Sequence, residues 1–114
     1  MPKVPPPKPR PLPHSVRRNV RLIAGHVVAW RKLRNLTQAQ LADRAGVSRG
    51  TLQHLESGGG GVGLENLLRV LRALGLMEQV AHALDPYESD VGRLRSDEQL
   101  PRRVRPRSLI RPDG

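Results

Sequence analysis

Cysteine is absent from the 114 residues, which rules out disulfide stapling and any zinc site built on thiolates. A reducing compartment is thereby permitted but not required. Four histidines are present, and none recurs at a metal-ligand spacing. No apolar run approaches the roughly 18–20 residues that a bilayer-spanning helix needs. The N-terminus starts basic, but proline stands where a signal peptide would carry its apolar centre. The expectation is a soluble cytoplasmic protein without membrane attachment. No serine or cysteine nucleophile is paired with a base, and the core is too small for a pocket. The four glycines 58–61 lack the preceding strand and the Lys-Ser or Lys-Thr that a phosphate loop requires. An enzyme is not expected, nor a cofactor or metal.

Acidic residues are missing from the first 35 positions. That stretch holds Lys3, Lys8 and Arg10, then Arg17, Arg18, Arg21, Arg31, Lys32 and Arg34. Residues 36–85 balance four arginines against five acids, and residues 86–114 hold seven arginines against five acids. The net charge of +10 is therefore carried mostly outside the centre of the chain. An excess of this sign favours an anionic partner and speaks to association rather than fold.

Residues 2–13 alternate proline with basic and apolar residues, an extended composition that cannot join a core. The chain is divided accordingly into a disordered basic arm over 1–14, a helical domain over 15–85, and an Arg/Pro-rich tail over 86–114. The tail is read as partner-binding or disordered. Ser15 is expected to cap a first helix running to about Arg34, with Val16, Val20, Ile23, Val27 and Trp30 as its inward stripe. Asn35 ends it. Thr37 and Gln40 have the spacing of a capping box, Leu41, Ala42 and Ala45 face inward, and Gly46 supplies a left-handed stop. Ser48 caps the next helix, about Arg49 to Glu56, whose inward residues are Leu52 and Leu55. Two short helices joined by a glycine turn, with Val47 in the angle, make a helix-turn-helix unit. The glycines that follow form a flexible link or a set of turns. A fourth helix, Leu64 to Leu74, shows Leu64, Leu67, Leu68, Leu71 and Leu74, and a fifth runs from Met77 to about Leu84. Pro86 ends the regular part.

From Leu36 to Gly58 the chain reads Leu-Thr-Gln, Leu-Ala, Ala-Gly-Val-Ser and Glu-x-Gly at fixed spacing. In these residues it resembles the phage repressor and Cro-like family, also called xenobiotic-response-element regulators, over about residues 18–76. The resemblance implies an all-α, compact five-helix lambda-repressor-like DNA-binding domain. It implies that Arg49, Gly50, Gln53 and His54 face outward on the recognition helix. Gln38 would touch a phosphate and brace that helix, and Thr51 would reach a phosphate or support the helix. Arg31 and Glu56 match an ion pair tying the first helix to the third. The family's basic residue in the following loop is replaced here by glycine. Phosphate contact there would fall to the backbone N–H groups of Gly59 and Gly60.

An arginine such as Arg49 can pair with guanine O6 and N7, and a glutamine such as Gln53 with adenine N6 and N7. The plainer reading of both, and of His54, is a solvated polar face. Gly50 either opens room for the groove or weakens the helix. Arg17, Arg18, Arg21 and Lys32, with Ser48, join the expected phosphate contacts, and the basic residues as a set predict strong salt dependence. Met77, Val80, Ala81 and Leu84 are the expected homodimer surface, since one unit reads too few bases alone. A non-DNA scaffold or phage-borne protein using the helix-turn-helix only as a packing unit is a third class, and it would leave the outward Arg49–Gln53 face and the basic first helix without a role; two functions stay open beside it. One is a dimeric repressor of its own operon, bound to a palindromic operator in double-stranded DNA. The other is an antitoxin, similar to the HipB type, that neutralises a protein toxin through its tail or outer face and autoregulates.

Overall fold

A computed structural model of the chain describes residues 4–5 and 10–99. Most of the proline-rich arm and the arginine-rich end 100–114 lie outside the described residues. Among the described residues six helices follow in order: α1 His14–Leu33, α2 Gln38–Ala45, α3 Arg49–Glu56, α4 Leu64–Leu74, α5 Met77–Ala83 and α6 Asp90–Gln99, with a 3-10 turn Pro86–Glu88 before the last. No strand occurs among the described residues, so the all-α expectation holds. The chain divides into two compact units, Met1–Gly75 and Leu76–Gly114. The first contains α1–α4. The fifth helix belongs with the later segment, and regular structure continues past Pro86.

The first helix starts before its expected cap. Pro13 has φ −56° and no side-chain cap is made; its carbonyl accepts from the amides of Val16 and Arg17 at 3.1 Å each. Because the ring already holds φ near the helical value, the helix begins at His14 and Ser15 lies inside its first turn. At the other end Asn35 takes φ 58°, turning the chain toward α2.

The next two helices follow local chemistry. Thr37 Oγ1 accepts from the Gln40 amide at 3.1 Å, and Gln40 Oε1 accepts from the Thr37 amide at 2.9 Å. This reciprocal box satisfies two donors that the first turn would otherwise leave bare. Replacing Thr37 with alanine should therefore cost about 1 kcal/mol, read as a shift in the urea midpoint at unchanged slope. Gly46 closes α2 at φ 72°. Any side chain there would be strained, and its β-carbon would also meet Arg69 Nη1 at 3.1 Å. Two residues later the Ser48 hydroxyl caps α3, accepting from the Thr51 amide at 3.0 Å. The fourth helix begins at Leu64, after Gly63, with no side-chain cap.

The core of the first unit is Leu41, Leu52, Leu74, Val27 and Val70, with Ala24, Leu36, Ala42, Ala45, Leu55 and Leu71 around them. Two expected stripes are displaced. In α1 the buried ridge is Ala24 and Val27, flanked by half-buried Val20 and Arg31, while Val16, Ile23 and Trp30 are exposed. The alanine lets the helix approach closely, and Arg31 must face inward to reach its partner. Trp30 instead lies under Arg34, whose guanidinium sits 5.3 Å from the ring centroid, a cation–π distance. In α4, Val70 is fully buried and Leu64, in the uncapped first turn, is 69% exposed.

Candidate nucleic-acid interface

The outward face of α3 is set by what its inward face must do. Leu52 and Leu55 are buried, which on a helix of 3.6 residues per turn leaves Arg49, Gly50, Gln53 and His54 facing solvent. Thr51 is half-buried. Its hydroxyl accepts from Ser48 Oγ at 2.8 Å, so both side chains of this pair are engaged in the cap.

The far end of α3 is fixed by a polar cluster. Arg31 Nε donates to Glu56 Oε2 at 2.8 Å and Nη2 to Oε1 at 3.1 Å, while Nη1 donates to the Leu36 carbonyl at 2.9 Å. Gln38 Nε2 adds a bond to Glu56 Oε1 at 2.9 Å. The side chains of Arg31 and Glu56 are only 13% and 4% exposed. A fork-to-fork pair of this kind fixes direction as well as distance. One guanidinium thus joins the end of α1, the entry to α2 and the end of α3. The carboxylate at a helix C-terminus, disfavoured by the helix dipole, is offset by the arginine. Gln38, at the start of α2, braces the end of α3 through this carboxylate.

Beyond Glu56 the glycines form a set of turns. The Gly58 amide donates to the Leu55 carbonyl at 3.1 Å and the Gly59 amide to the His54 carbonyl at 3.0 Å. The Gly59 N–H, expected to face a phosphate, is thus engaged within the loop. The His54 ring turns toward the same loop, with Nε2 2.7 Å from the Gly60 carbonyl oxygen. Sequence reasoning missed this link, which only the folded loop creates.

Arg17, Arg18, Arg21 and Lys32 are all exposed. Successive helical residues advance about 100°, which puts Arg17, Arg21 and Lys32 on one side of the buried α1 ridge. Val16, Ile23 and Trp30 occupy the other side. The basic side adjoins the end of α3, because a β-carbon on Gly58 would lie 3.4 Å from Arg21 Cγ. Arg69 of α4, beside the helix-turn-helix glycine, was not singled out from sequence; nothing local signals a contact made by α2–α4 packing. In the second unit Met77 is half-buried and Val80, Ala81 and Leu84 are exposed. Among the described residues no group of three or more His, Asp or Glu could hold a metal, and no helix is long and apolar enough to cross a membrane.

Two short helices joined at a left-handed glycine, the second with a polar outer face and a braced end, define the class: a helix-turn-helix protein. Residues 28–81 match the model of a family described as helix-turn-helix. The chain therefore contains a helix-turn-helix domain, a DNA-binding regulatory module rather than a catalytic one, consistent with phage repressor and Cro-like regulators. No curated protein and no solved structure matches the chain.

Proposed function

We propose that this protein is a sequence-specific double-stranded DNA-binding regulator, acting as a cytoplasmic homodimer that represses its own operon from a palindromic site. The observation that carries this reading is the outward Arg49, Gly50 and Gln53 face of α3. It stands on a helix whose far end is locked by Arg31, Glu56 and Gln38. In this reading α3 enters the major groove and its side chains read base edges. The basic side of α1 and the loop after α3 lie along phosphates.

Footprinting on the DNA upstream of the protein's own coding sequence tests this. A protected pair of inverted half-sites about one helical turn apart is expected, and no protection would sink the reading. Salt adds a second measurement. Replacing Arg21 with glutamine should lower the dependence of log affinity on log salt by about one unit, equally on all sequences. An unchanged slope would remove Arg21 from the phosphate contacts.

A second reading, the antitoxin, is favoured by one feature of the second unit. Leu84, Val91 and Leu94 are 78%, 65% and 62% exposed, apolar surface suited to a protein partner. A second copy would engage Met77, Val80, Ala81 and Leu84, whereas a toxin would compete with or extend that contact. Co-expression with the neighbouring gene product separates the two. A stable mixed complex that silences a toxic activity supports the antitoxin, and a homodimer alone supports the plain regulator.

A further inference from the structure

His54 is joined to the glycine loop in three ways and to Ser57 in a fourth. Its Nε2 lies 2.7 Å from the Gly60 carbonyl oxygen. Its own carbonyl accepts from the Gly59 amide at 3.0 Å and from Ser57 Oγ at 2.8 Å. Its ring also lies flush against Gly59, where a β-carbon would overlap ring atoms Cε1, Nε2 and Nδ1. Gly59 does not take a positive φ, so its backbone would accept alanine. A side chain there would have to push the His54 ring off the loop.

We propose that His54 is a positioning residue that clamps the four-glycine loop, rather than a reader of bases. Four consecutive glycines have the highest backbone entropy a chain can offer. Left free, they would make a poor phosphate-binding edge, because ordering them would oppose every binding event. A ring seated on Gly59 and bonded to Gly60 holds the loop in one form before DNA arrives. Arg21 flanks the ordered loop at Gly58, adding positive charge beside it. The loop's phosphate role rests on the DNA-binding reading above; the clamp itself does not.

The clamp has an unusual genetic signature that permits a direct test. Three variants, His54→Ala, Gly59→Ala and the double, are compared with the full wild-type chain. Amide hydrogen exchange is measured at Gly58–Gly61 in the free protein, and affinity is measured for several short duplexes of different sequence. Thermal unfolding confirms that each variant is folded. Gly59→Ala should weaken duplex binding about tenfold and speed loop exchange in the wild-type background, an effect of the size seen between residues in contact. In the His54→Ala background the same substitution should change either measurement less than about twofold, because the obstructing ring is gone. His54→Ala alone should speed loop exchange and weaken binding equally on every duplex. A Gly59→Ala effect that persists without the ring overturns the clamp, as does loop exchange unchanged by His54→Ala. A His54→Ala loss confined to duplexes differing at one base pair would make His54 a base reader instead. If the wild-type chain binds no duplex, the DNA reading falls while the exchange pattern still decides the clamp.

Discussion

Replacing Glu56 with alanine is expected to unfold a large fraction of the protein, at a cost of about 3–5 kcal/mol. The substitution removes the carboxylate that meets Arg31 Nε and Nη2, and it also takes the acceptor of Gln38 Nε2. What remains is a guanidinium 13% exposed with two donors unmet, and burying an unpaired charge is far costlier than losing a surface bridge. Small domains hold a total stability near the low end of about 5–15 kcal/mol, so this single change consumes most of it. Glu56→Gln keeps shape and one acceptor, and should lose less. The decisive comparison is with Arg31→Met combined with Glu56→Leu. Apolar replacement of both partners restores a buried surface with nothing left unsatisfied, and such pairs often regain stability. Urea denaturation of the single and double variants measures the coupling. A loss under about 1 kcal/mol for Glu56→Ala would show that the pair is an incidental contact. A double variant that folds but no longer binds DNA would separate the pair's two duties, holding the fold and aiming α3.

The fate of individual residues shows where the sequence was readable. Thr37, Gln40, Gly46 and Ser48 act through bonds within four residues of themselves, so their spacing alone announces the two helices. The partnership of Arg31 with Glu56 is different. Its members are 25 residues apart, and only the family resemblance joined them beforehand. Periodicity failed where two ridges with the same three-and-four spacing lie side by side. Val16, Ile23 and Trp30 repeat as regularly as Val20, Ala24, Val27 and Arg31, and packing chose the second set because it includes a small residue and the arginine. In α4 the same ambiguity hid Val70 behind Leu64. Helix α6 was passed over because Asp90–Gln99 contains few apolar residues and Gly92. A signal existed in Ser89, whose hydroxyl accepts from the Gly92 amide at 2.9 Å as an N-cap does. The ring of His54 against Gly59 had no sequence signal, since both the ring direction and the loop shape arise only on folding.

Alanine at Arg49 or Gln53 is expected to leave the fold nearly untouched and to damage discrimination between DNA sequences. Both side chains are exposed and neither takes part in the polar cluster at the end of α3, so stability should shift by no more than about 0.5 kcal/mol. If α3 reads base edges as proposed, each should lose about 1–3 kcal/mol on the operator, concentrated at one base pair. Gln53→Ala is the cleaner of the two because it removes no charge. Its binding to unrelated DNA and its salt dependence should match wild type while preference at one adenine collapses. Arg49→Ala should relax preference at a guanine and also weaken binding generally, since a positive charge is lost. Selection of bound sequences from a randomised duplex pool reads both effects at once, and an unchanged selected motif would remove these residues from base readout. Gly50 sharpens the same experiment. Among the described residues a β-carbon there would find only Ser48 Oγ, at 3.9 Å, and alanine in place of glycine in a helix stabilises it by up to about 1 kcal/mol. Gly50→Ala should therefore raise the melting temperature. If operator affinity falls as stability rises, the glycine is kept for close approach to the groove; if both rise together, it is merely a weak point in α3.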